Sequence, residues 1–239
     1  MNKINLLLIF IVVFIAACAG VKEPAFNDTC SSVNRTAERN ICYVDLAVSL
    51  NLTDPCDLIG AEKLKATCYA EASIEAVDKL GCEKIEDAQV RSYCLAKVAV
   101  ARAELPICEN VDDQDWKDTC YFDMAEVTNK SEICSKISLN LFHDDCYDIL
   151  AKKINNGANC AFIKDISTKN RCFLAVAVSS KDADLCNEIN LQEFGWSCFN
   201  RVAKAKRDAE VCELISSQSV VEGCRQSVNE YIAESINSN

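Results

Sequence analysis

The 239-residue chain carries 17 cysteines and a single histidine. A cysteine thiol can close a disulfide, bind a metal as its thiolate, attack a substrate or accept a lipid, so spacing must decide among these. From Cys30 to Cys224 the cysteines follow one another at intervals of 12 and 14 residues in strict alternation. The couples are Cys30/Cys42, Cys56/Cys68, Cys82/Cys94, Cys108/Cys120, Cys134/Cys146, Cys160/Cys172, Cys186/Cys198 and Cys212/Cys224. Zinc sites draw on closely spaced C-x-x-C pairs and covalent haem on C-x-x-C-H. Neither string occurs, and no metal or cofactor is expected. His143 is followed by Asp144 and Asp145, but no matching nucleophile is evident, so it reads as a solvated residue at the start of a helix. With no phosphate-binding glycine loop either, no enzymatic activity is expected. Cysteines at this density read as the disulfide framework of an exported chain.

Cys18 stands outside the alternation, since a cysteine continuing it backwards would fall where Ala16 stands. Its neighbours supply another role. Lys3 gives a basic start, Leu6 to Ile15 is an uninterrupted apolar run, and Ile15-Ala16-Ala17-Cys18 follows. This is the layout of a secretory signal peptide. It resembles the lipobox of prokaryotic lipoproteins. The resemblance implies that Cys18 becomes the first mature residue and carries diacylglycerol on its sulfur, anchoring an extracytoplasmic protein to the cell membrane. Two other readings stay open: cleavage at Ala17-Cys18-Ala19 as an ordinary A-x-A site, and retention of the segment as a signal anchor. Residues 1–17 are therefore expected as signal peptide, 18–27 as lipidated tether and 28–239 as one array, because no Pro/Gly/Ser linker interrupts the latter. The net charge of −11 argues against nucleic-acid binding.

The cysteine interval defines eight copies of a 26-residue unit, and a fixed period of this size signals a repeat architecture. Three residues after the first cysteine stand Val33, Ile59, Ile85, Val111, Ile137, Ile163, Ile189 and Ile215, all β-branched. Sharing a face with the cysteine, they predict a short helix A of about two turns, with Thr53-Asp54-Pro55, Ser131-Glu132, Asp182 and Asp208 as start signals. Around the second cysteine, apolar residues recur at −4, +1 and +4 and small residues at +5 (Ala47, Ser73, Ala99, Ala125, Ala151, Ala177, Ala203). That stripe predicts a longer helix B of about four turns, with the small residue admitting a close neighbour. Thr168 is the internal exception at −4, while Glu38, Arg225 and Asn229 make the end units more polar, as an open stack requires. The expected fold is an all-α solenoid of eight helix-turn-helix repeats.

In such a unit Cys212 and Cys224 lie almost equally far from a turn near Ser217, which favours one disulfide within each repeat. Pairing across repeats, as Cys198 with Cys212, would use unequal arms and remains the alternative. The unit resembles the α/α-repeat class of tetratricopeptide and cysteine-rich Sel1-like arrays in architecture only, since the period is shorter and the Trp/Gly/Tyr signature is absent. That resemblance implies a groove for peptides or proteins. The function expected is a membrane-tethered, protein- or peptide-binding scaffold, with Phe122, Phe162, Leu174 and Trp196 as candidate contact residues. The alternative is a structural envelope spacer with no dedicated ligand, and a third reading is a subunit or inhibitor acting through a partner. Asn27, Asn34, Asn51 and Asn129 begin N-x-S/T sequons.

Overall fold

A computed structural model of the protein describes residues 26–237. Cys18, its apolar leader and most of the tether lie outside the described residues. Among the described residues, eight long helices follow one another: α1 (Thr36–Leu50), α2 (Glu62–Glu75), α3 (Ala88–Arg102), α4 (Gln114–Thr128), α5 (Asn140–Lys153), α6 (Ile166–Ser180), α7 (Gln192–Lys206) and α8 (Gln218–Asn237). Each is the B helix of one repeat. Substantial contacts run within a repeat or between adjacent repeats, which is the connectivity of an α solenoid.

A disulfide closes each repeat. The bonds join Cys30 to Cys42, Cys56 to Cys68, Cys82 to Cys94 and Cys108 to Cys120 in the first four repeats. Cys134 joins Cys146, Cys160 joins Cys172, Cys186 joins Cys198 and Cys212 joins Cys224 in the last four. Their Cα–Cα separations are 5.6–5.9 Å, the span a disulfide requires. The cross-repeat alternative, Cys198 with Cys212, does not occur, because each of these sulfurs is already bonded inside its own repeat.

Helix A is shorter than the two turns expected. Asp54–Leu58, Ser131–Lys136, Gly157–Phe162, Asp184–Glu188 and Ala209–Leu214 are 3-10 segments, and Lys79–Glu83 and Leu105–Glu109 are single α-turns. The β-branched residue at +3 ends the element rather than extending it. Its N–H donates to the cysteine carbonyl in all eight repeats, for example Ile215 to Cys212 at 3.0 Å and Val33 to Cys30 at 3.0 Å. The chain then leaves in extended geometry, as at Ile59 (φ −85°, ψ 118°), a conformation that β-branched side chains favour. These residues are core: Ile59, Ile85, Val111 and Ile163 are at most 2% exposed. Asp182 and Asp208 cap their segments through Asp184 and Glu210, whereas Thr53 and Ser131 provide no side-chain cap.

The first seven B helices end in one repeated device. Asn51, Val77, Ala103, Asn129, Asn155, Lys181 and Arg207 adopt φ between 52° and 57°, always 26 residues apart. The next residue sends its N–H back to the carbonyl of the small residue at +5, as Leu52 to Ala47 (3.0 Å), Asp78 to Ser73 (2.8 Å) and Asp208 to Ala203 (3.0 Å). This is the Schellman closure, here without glycine. The residue at +5 carries the carbonyl that stops the helix, and all seven such side chains are fully buried.

Candidate functional site

The sulfurs expected as disulfides are sealed in the core and offer no thiol chemistry. On the B helices, Cys68, Cys94, Cys120 and Cys172 are 0% exposed, and Cys146, Cys198 and Cys224 are buried as well. Cys42, in the first repeat, is only partly buried, because no earlier repeat covers it. Each is bonded to its partner in the short A segment, so none is a metal ligand or a nucleophile.

Beside the apolar stripe the structure holds a polar one that the sequence did not announce. Two residues before the second cysteine, Asn40, Ser92, Asp118, Asp144 and Asn170 are buried, between 0% and 8% exposed. Four of them reach into the A-to-B turn of the following repeat. Asp118 accepts from the backbone N–H groups of Ser138 (3.0 Å) and Leu139 (2.8 Å). Asp144 accepts from Lys164 (2.9 Å) and Asp165 (2.8 Å). Ser92 accepts from Asp113 at 3.1 Å and Asn170 from Asn190 at 3.2 Å. These side chains clasp one repeat to the next, because the exposed N–H groups ahead of a B helix need acceptors.

His143 belongs to this clasp and is not solvated as expected. It is 8% exposed, with Nδ1 at 2.9 Å from Asp144 Oδ1 and its ring edge against Tyr147. Burial works against the Asp144 charge, yet the two backbone donors and the His143 ring outweigh it and hold the carboxyl below its ordinary range. Both Asp144 oxygens are thus engaged in structure. Thr168 lies in the first turn of α6, where its N–H donates to the capping Asp165 carboxylate (2.8 Å), and that bond lowers the Asp165 pKa.

The clasp bond is not made at every junction. In the second repeat the clasp position is Ala66, which is only half-buried and offers no acceptor to the amides of Glu86 and Asp87. An open cleft of about 770 Å³ lies at this place, lined among others by Lys63, Lys65, Ala66, Tyr69, Lys84 and Asp87. Asp57, also on its wall, is hydrogen-bonded to the Tyr69 hydroxyl; burial, that bond and the nearby carboxylates raise the Tyr69 pKa. Lys84 stands 5.5 Å from the Tyr69 ring centroid. None of the three lysines is ion-paired among the described residues. A second, shallower groove of about 320 Å³ shares Thr67 and Val90 with the cleft and continues to Tyr93 and Trp116. Those two rings meet edge-on with centroids 5.0 Å apart.

Of the four apolar residues expected as contacts, three pack inside the array. Leu174 is core, Phe122 lies against Phe142, and Trp196 joins the cluster at the clasp position of the seventh repeat. Phe162 is 58% exposed and stacks on Tyr147. The four sequon asparagines are exposed, and two of them, Asn51 and Asn129, occupy left-handed turns, where asparagine is tolerated for its backbone. Among the described residues, no helix is long and apolar enough to cross a membrane, and no cluster of three or more potential ligands is placed to hold a metal. No protein-family model, curated protein or solved structure matches this chain.

Proposed function

We propose that the protein is a lipid-anchored extracytoplasmic scaffold that holds a protein or peptide partner along its array. Eight disulfides fit an oxidising compartment outside the cytoplasm. The lipobox-like Ile15-Ala16-Ala17-Cys18 supplies the anchor, with Cys18 as the acylated residue. The observation that carries the binding role is a row of exposed apolar side chains at and beside the A-to-B turns of the fifth to seventh repeats. Leu139 (49%), Leu141 (65%), Phe162 (58%), Ile166 (48%) and Leu191 (61%) all fall within this phase of the repeat. Exposed large apolar residues recurring at one phase of successive repeats suit an interaction surface. A spacer needs no such edge.

Capture from envelope extract by the oxidised protein tests the role. A partner retained by the native protein and lost from the triple variant Leu141→Glu, Phe162→Glu, Leu191→Glu is the expected result. Retention of no protein, or of the same proteins by both forms, leaves the spacer reading. Intact-mass measurement of the membrane-extracted protein tests the anchor: it should begin at Cys18 and carry acyl mass that Cys18→Ser abolishes.

A further inference from the structure

We propose that the Cys30–Cys42 disulfide is a thiol-exchange site, opened through Cys42 by a dithiol. Fifteen of the sixteen disulfide cysteines are at most 4% exposed, and Cys42 is the exception. The interior repeats show what shields this position. Cys94 Sγ lies 3.8 Å from the carbonyl oxygen of Ala70 on the preceding B helix, and Cys120 Sγ lies 3.8 Å from that of Ala96. The backbone of one repeat thus covers the sulfur of the next. Among the described residues α1 has no helix on that side, and its substantial contacts are with the second repeat. Ile41, next to Cys42 in the chain, is 55% exposed. The far end of the array offers no equivalent opening, because α7 precedes Cys224, which is 4% exposed.

The exchange takes two displacements. A thiolate of the dithiol attacks Cys42 Sγ and forms a mixed disulfide, while the Cys30–Cys42 bond breaks and its electron pair leaves on Cys30 Sγ. The second thiolate of the reagent then attacks the reagent sulfur of that mixed disulfide, closing a cyclic disulfide and releasing Cys42 as the thiolate. The two protons of the dithiol end on Cys30 and Cys42; the dithiol loses two electrons and the protein disulfide gains them. Attack begins at Cys42 because Cys30 is 0% exposed, and exchange depends on access to the attacked sulfur. The opening is local. Residues 30–35 form no helix, and besides the disulfide the Tyr43 hydroxyl ties this segment to α1 by donating to the Asp28 carboxylate at 3.2 Å. Reduction therefore frees the chain ahead of Thr36 and leaves α1 packed on the second repeat. The consequence rests on the lipid-anchor reading. The first fixed residue moves from Cys30 to Thr36, 12 and 18 residues beyond Cys18, and the greatest reach of the anchor grows from ~40 Å to ~60 Å.

Timed reduction of the full-length oxidised protein in mild detergent tests the site. Any free thiol is first blocked with N-ethylmaleimide. Dithiothreitol is then added at neutral pH without denaturant, and samples are quenched with isotope-labelled N-ethylmaleimide. Peptide mass spectrometry should find the label on Cys30 and Cys42 together, at a rate at least tenfold above that of every other pair, Cys212–Cys224 included. A short pulse of glutathione, a monothiol, should leave its adduct on Cys42 with Cys30 free. Hydrogen exchange after this selective opening should show lost protection at the amides of Cys30, Ser31 and Val33, which Asp28 and the Cys30 carbonyl hold in the closed form. Protection of α2 to α8 should be unchanged. The paired variant Cys30→Ser, Cys42→Ser should give the same pattern without reductant. Another pair that opens as fast, or an adduct that forms first on Cys30, overturns the site. Lost protection along the whole array, in the opened protein or the paired variant, overturns the local opening. A Cys18 found without acyl mass would leave the selective opening standing and remove only the change in reach.

Discussion

At the residue scale, the most informative side chain is Asp144. Its two oxygens hold the amides of Lys164 and Asp165, and it is 5% exposed. Hydrogen bonds to a charged acceptor contribute about 1.5–3 kcal/mol, so Asp144→Ala should lower the denaturation midpoint more than Asp148→Ala, which removes an i,i+4 partner of Lys152. The charge has its own signature. The folded pKa is held below the ordinary aspartate value, so the stabilisation is fully present above that value and fades as pH falls through the folded one. The advantage of the native protein over Asp144→Asn should therefore shrink below about pH 4. An advantage that persists undiminished in strong acid would show that the carboxylate charge is not what the clasp uses. Lys181 gives a second residue-level case. It is exposed at φ 57°, a conformation costing an L-residue about 1 kcal/mol or more. Lys181→Gly relieves that cost against a glycine entropy loss of about 0.5–1 kcal/mol. The melting temperature should hold or rise by up to about 2 °C; a fall of several degrees would mean that the lysine side chain contributes contacts of its own.

At the element scale, the repeat period, the helix order and the one-per-repeat closure were legible because cysteine, β-branched and small residues recur at fixed phase. The clasp was not legible. Asn40, Ser92, Asp118, Asp144 and Asn170 look like solvated helix residues in sequence. Four of them act on donors about 20 residues away in the next repeat. Helix A was overestimated for a related reason. A β-branched residue three after cysteine fits a continuing helix face as well as a terminus, and only the backbone tells that it terminates. The Ala66 cleft is visible only once the clasp is known, since an alanine on a helix draws no notice. The same one-dimensional connectivity predicts how a broken element is felt. Each disulfide spans 12 residues, a loop closure of about 3 kcal/mol in the chain-entropy model. Loss of Cys212–Cys224 by paired Cys→Ala change should expose amides of α8 and its neighbour to hydrogen exchange and leave α1 to α5 protected. Loss of Cys134–Cys146 should weaken α4, α5 and α6 together, because that repeat has neighbours on both sides. Equal loss of protection along the whole chain in both variants would argue for one cooperative unit instead of coupled repeats.

At the scale of the whole molecule, the balance between core and covalent closure decides where the fold can exist. A repeat of 26 residues buries little apolar surface alone, and the array adds only neighbour contacts. Eight closures at about 3 kcal/mol each would total about 24 kcal/mol, and even half of that matches the roughly 5–15 kcal/mol net stability usual for a folded domain. On this count the oxidised state is expected to be a condition of the fold. The eight disulfides account for sixteen cysteines, and only Cys18 of the 17 stands apart. Native protein should therefore give at most one reactive thiol, and none when Cys18 is acylated. Full reduction at neutral pH should release sixteen more and abolish the helical circular dichroism in the same transition. Sulfur chemistry and helix content must move together because each half-repeat depends on its closure to meet its neighbour. Helicity that survives complete reduction would place the stability in the interhelical core after all, and the chain could then fold in a reducing compartment.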